Sequence, residues 1–126
     1  MMKGWIASLI FGGAWLIVCP SAWSWTMDGD KVKFSNTEWA ICRMFEHDAA
    51  VIILHRQEGY SLTFDEDVKS PPTEIQKQAR ANMILEANAM PIESTPEKRM
   101  AVSEQFAQRI RTNCFRFLHS QPEGKH

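Results

Sequence analysis

The sequence predicts an all-α fold: a small bundle of three main amphipathic helices and one short helix, stapled by one disulfide. Three observations predict it. Helix-start signatures recur at Ser35–Glu38, Thr63–Glu66, Thr73–Gln76 and Thr95-Pro96-Glu97. Apolar residues after three of these starts recur at helical rather than strand spacing. Cys42 and Cys114 sit on the apolar stripes of the first and last helical stretches, where a bridge would tie one end of the chain to the other.

In chain order, residues 1–24 stand apart. Met1-Met2-Lys3 is a short basic start, and Trp5 to Val18 is apolar or glycine except for Ser8. Ala22 and Ser24 then complete a small-x-small pattern. This is a secretory signal layout with cleavage after Ser24, so that Trp25 opens the mature chain. A membrane helix is the rival, but a span needs ~20 apolar residues, more than this run supplies. A lipoprotein acylated at Cys19 is a further alternative, disfavoured by the bulk of Val18 before it. The expected location is periplasmic or secreted, with no stable membrane insertion once the signal is gone.

Processing leaves about 100 residues, enough for one small core. Only Lys3 is lost among the charges, so thirteen basic residues face fifteen acidic ones, a net of −2. That balance argues against a nucleic-acid binder, which carries a basic excess on one face. Three cysteines become two whether Cys19 leaves or is lipidated, and an exported pair is normally oxidised. Cys42 and Cys114 are therefore expected to be bonded.

Residues 25–34 form a lead-in segment in which Asp28-Gly29 marks a tight turn and Lys31-Val32-Lys33-Phe34 alternates, which suits a short hairpin. The helical domain covers 35–119. Its first helix starts at the Ser35–Glu38 capping box, with Phe34 and Trp39 placed for a hydrophobic staple. Its buried stripe reads Ile41, Cys42, Phe45, Ala49, Ile52, Ile53, and Gly59 is the natural left-handed stop. Thr63 and Glu66 predict a capped short helix over about 64–69, ended by Pro71-Pro72. Thr73 opens the next helix, with Ile75, Ala79, Met83, Ala87 and Met90 as its inner face, closed at Pro91. The last helix starts at Thr95-Pro96-Glu97 and carries Val102, Phe106, Ile110, Cys114 and Phe117. The tail, 120–126, is polar and expected to fray.

The chain offers little chemistry. His47 and His55 are eight apart, not the four of a helical zinc pair, and read as surface histidines. Both mature cysteines are spent on each other, and neither a Gly-x-Ser-x-Gly elbow nor a phosphate-cradling glycine loop occurs. Glu46 and Asp48, two apart on a helix, face away from each other and make a poor acid–base pair. The expectation is no catalytic residue, no metal and no cofactor. Met44, Met83, Met90 and Met100 read as core filler. Acid gathers around the first turn at Glu58, Asp65, Glu66 and Asp67, while Lys98, Arg99, Arg109, Arg111 and Arg116 make the last helix basic. Fields of this kind steer protein encounters. Asp65, Glu66 and Asp67, more carboxylates than one cap requires, are the candidate partner-binding residues, within a working surface over Gly59 to Val68.

Cys42 on the first helix, Arg56 and Gly59 at its end, a capped short helix and Cys114 on the last helix give a layout that resembles small exported helical proteins of Gram-negative bacteria. The periplasmic immunity proteins that neutralise type VI secretion amidase effectors share that general plan. The resemblance implies a non-enzymatic protein that binds another protein, with an inhibitor or immunity role as its sharpest form. A structural or assembly component of a cell-envelope complex is the alternative, and self-association is left open.

Overall fold

The computed structural model describes residues 25–124, so the expected signal segment, Cys19 and the expected cut after Ser24 lie outside the described residues. The chain is mostly helical, but a two-stranded sheet precedes the helices, so all-α is only roughly right. The elements are β1 (Thr26–Asp28), β2 (Lys31–Lys33), α1 (Asn36–Glu58), a single 3-10 turn (Asp65–Val68), α2 (Glu74–Asn88) and α3 (Pro96–His119).

One body comprises residues 25–40 and 116–124. Its hairpin is antiparallel, pairing Thr26 with Lys33, Met27 with Val32 and Asp28 with Lys31. Gly29 and Asp30 are the two turn residues. The positive φ of +70° falls on Gly29 alone, the demand of a type II′ turn at its first central position. A lone two-stranded hairpin is marginal in water, and here the C-terminal residues hold it. The Trp25 indole N–H donates to the Gln121 carbonyl at 2.7 Å, and its ring meets His119 edge-on at 4.4 Å. Gly124 N donates to the Trp25 carbonyl at 2.7 Å, and Met27 N donates to the Glu123 carboxylate at 3.1 Å. The stretch 120–124, read from sequence as frayed, thus carries much of the hydrogen bonding of this body. The Ser35–Glu38 box forms in both directions: Glu38 N donates to Ser35 Oγ at 3.1 Å and Ser35 N to Glu38 Oε1 at 2.8 Å. Glu38 is fully buried, as is Leu118, whereas Phe117, assigned to the inner stripe, is 64% exposed.

The second body comprises residues 41–115. Its core is Ala49, Ile52 and Ile53 of α1, Met83 and Ala87 of α2, and Phe106 and Ala107 of α3, with Phe45, Ala79, Val102 and Ile110 packed against them. Cys42 and Cys114 are disulfide-bonded, with Cα atoms 5.5 Å apart across a sequence separation of 72. Gly59 stops α1 at φ +77°, as its position required. Thr73 and Thr95 cap α2 and α3 through Gln76 N at 3.1 Å and Lys98 N at 3.2 Å.

Two sequence expectations fail here. Thr63 caps nothing: Phe64 takes the cap position of the 3-10 turn without a side-chain bond, and the Thr63 hydroxyl donates to Ser61 Oγ. The inner face of α2 holds Ala79, Met83, Ala87 and Met90 as expected, but its first turn differs. Ile75 is 71% exposed, and the buried positions are Gln76, Arg80, Met83 and Ala87, spaced four, three and four apart. The methionines divide: Met83 is buried, Met90 packs on the core, Met44 is half-buried and Met100 is exposed.

Candidate functional site

The buried face of α2 also carries two polar side chains, Gln76 and Arg80, that reach Asp48 of α1. Asp48 lies one residue before Ala49 and four before Ile52, so it shares the edge of the apolar stripe and is buried with it. A buried carboxylate requires partners. Asp48 Oδ2 accepts from Arg80 Nε and from Gln76 Nε2, both at 2.9 Å, and Oδ1 accepts from Arg80 Nη2 at 3.3 Å.

The other edge of the guanidinium faces the connection between α1 and α2. Arg80 Nη1 and Nη2 donate to the two oxygens of Asp67, each at 2.9 Å, in a fork-to-fork pair. Its plane lies over the Phe64 ring with Cζ 3.7 Å from the centroid, a cation–π contact. One arginine therefore joins α1, α2 and the 3-10 turn. Two carboxylates around it hold the Arg80 guanidinium charged well beyond its ordinary range, with the Asp67 hydrogen bonds as the leading cause. The reciprocal effect lowers the carboxyl of Asp67 below its ordinary value of 3.8, again chiefly through the hydrogen bonds from Arg80.

Beside this cluster opens a pocket of about 300 Å³, lined by Met44, His47, Asp48, Phe64, Glu66, Asp67, Ser70, Gln76 and Arg80. Its wall is mainly apolar, with the ion cluster set into it.

The three acidic candidates are thus not equivalent. Asp67 is committed to Arg80, whereas Asp65 and Glu66 are exposed, with Glu66 lining the pocket. Around them the same segment presents Tyr60, Val68 and Leu62 at 60%, 89% and 37% exposure. The basic side of the charge pattern is largely answered from within: Arg99 pairs with Glu58 at 3.2 Å, Arg109 with Glu86, and Arg111 with Glu46 at 4.0 Å. His47 and His55 are both exposed, as the surface reading has it, and His55 Nδ1 lies 2.6 Å from the Tyr60 carbonyl. Among the described residues no group of three or more His, Cys, Asp or Glu is arranged to hold a metal ion. No helix of the described residues is long and apolar enough to cross a membrane.

Gln76 and Arg80 escaped the sequence reading, which weighed Asp48 only as an acid–base partner of Glu46. The signal that could have found them is the heptad spacing 76, 80, 83, 87, which puts Gln76 and Arg80 on the face of two apolar residues. Compared with known proteins, the chain matches no family model, no curated protein and no solved structure.

Proposed function

We propose that the protein is a non-enzymatic, exported binding protein that docks another protein through the segment 59–70. The observation that carries this reading is the contrast within that segment. Its interior side is fixed to the helices by the Arg80–Asp67 fork and the Phe64 contact. Its outer side shows Tyr60, Leu62 and Val68 together with Asp65 and Glu66. An irregular segment that is held still and shows an aromatic, two aliphatics and exposed acid suits recognition, because little ordering cost remains at binding. The disulfide is compatible with an oxidising compartment, which supports export to the periplasm. Asp48, Asp67, Gln76 and Arg80 on the pocket wall are engaged with one another, which suits a brace better than a reaction centre.

The narrower form of the proposal is an inhibitor or immunity protein, in keeping with the resemblance to periplasmic immunity proteins. A component of an envelope assembly is the alternative. A photo-crosslinking residue placed at Val68 in the exporting host tests the surface, with the same residue at exposed Gln78 as the control. The expected result is a discrete adduct from position 68 alone. Adducts that are absent from 68, or the same at both positions, sink the proposal. The adduct's identity then separates the narrower readings: a toxin supports immunity, and an envelope subunit supports assembly.

A further inference from the structure

We propose that the pocket beside the 3-10 turn receives a lysine side chain of the docked protein, which makes it the anchor point of the surface described above. This rests on the docking reading and gives it a chemistry. Three carboxylates line the pocket, Asp48, Glu66 and Asp67, against the single cation Arg80. Arg80 directs all three of its nitrogens at Asp48 and Asp67, so its charge is turned to those carboxylates rather than to an arriving group, with His47 and Ser70 completing the polar lining. Asp67 is still partly open to solvent, with its side chain 32% exposed. Glu66 makes no ion pair or side-chain hydrogen bond with the described residues. Of the other nearby basic residues, His47 lines the cavity, whereas Arg43 and Lys69 do not.

The walls suit the rest of a lysine. Met44 and Phe64 supply apolar surface for a four-carbon stem, and about 300 Å³ is ample for one side chain. The headgroup follows from geometry as well. Both oxygens of Asp67 already serve one planar fork, which leaves lone pairs that point in separate directions. A compact ammonium with three rotatable donors can use such acceptors on Asp67 together with Glu66, whereas the planar fork of a second guanidinium is matched by Glu66 alone. The partner is therefore expected to present an exposed lysine on a loop or helix end, flanked by apolar residues that meet Tyr60 and Val68.

A titration of the folded, oxidised protein with the blocked tripeptide Gly-Lys-Gly, followed by amide NMR shifts at low salt, tests this directly. Saturable shifts are expected at Phe64, Glu66, Asp67 and Ser70, with a millimolar dissociation constant. They should be lost with norleucine in place of lysine and weaken about threefold in Glu66→Gln, an exposed substitution that spares the fold. Equal binding of the norleucine peptide, tighter binding of the arginine peptide, or shifts scattered over all acidic residues would each overturn the assignment. If the lysine peptide fails while the Val68 adduct still forms, docking stands and the pocket is not its anchor. If the peptide binds but no adduct forms, the pocket stands and the docking reading falls.

Discussion

The two connections in residues 41–115 are fastened by arginines in opposite ways. Between α1 and α2, Arg80 holds the chain by a side-chain carboxylate, Asp67. Between α2 and α3, the fastening is to main-chain atoms. Arg56 donates twice to the Met90 carbonyl, at 3.0 and 2.8 Å, and Arg99 donates to the Glu93 carbonyl at 3.1 Å. Gln57 spans the same turn, donating to the Pro91 carbonyl and accepting from Glu93 N, both at 2.9 Å. A carbonyl does not titrate and no single side-chain substitution removes it, whereas a carboxylate can be lost either way. The first connection is the one that can be released, and it is the one that carries the exposed aromatic, aliphatic and acidic residues.

The largest expected effect frees both connections together. Each lies inside the loop closed by Cys42 and Cys114, so Cys114→Ala should cost about 4 kcal/mol in the chain-entropy treatment, read by denaturant unfolding under oxidising conditions. Next comes the first connection alone. Arg80→Leu strands the buried Asp48 charge and should cost about 3 kcal/mol, and adding Asp48→Leu should recover part of it, since an apolar replacement removes both charges. A double mutant no better than the single would mean that Arg80 contributes through Asp67 and Phe64 instead. For the second connection, Gln57→Ala removes two neutral hydrogen bonds and should cost about 1–2 kcal/mol, with no dependence on pH in acid. The smallest effect sharpens the contrast. The folded Asp67 carboxyl is lowered, so its contribution is present above the ordinary value of 3.8 and is lost as pH falls through the folded value. Unfolding curves below pH ~4 should therefore show a loss in the wild type that is reduced in Asp67→Asn. Parallel pH profiles for the two proteins would remove Asp67 from the account.

How much of this was legible in the sequence divides along the same line. The caps at Ser35, Thr73 and Thr95, the stop at Gly59 and the cysteine pair depend on residues a few positions apart or on parity, and each is found as read. The pocket depends on polar residues inside an apolar stripe. Hydropathy periodicity leaves such residues out of the stripe, so it names Ile75 as inner and passes over Gln76 and Arg80. The burial of Arg80 becomes visible only when a partner 32 residues away is known to meet the charge. Thr63 failed for a different reason: the turn it precedes is four residues long and takes its cap position from Phe64. Asp65, Glu66 and Asp67 were singled out as a group, but nothing local says which of the three Arg80 would take.

The bonds from Gln121, Glu123 and Gly124 back to Trp25 and Met27 have a consequence for the order of folding. Residues 25–33, made early in synthesis, cannot reach their final arrangement until residues 121–124 have followed. Contacts across 96 positions are slow to close. The hairpin is thereby a late event by construction. Truncation after His119 should leave the body around Phe106 foldable but strand the hairpin without its fastening, a lesion visible first in the surroundings of Trp25.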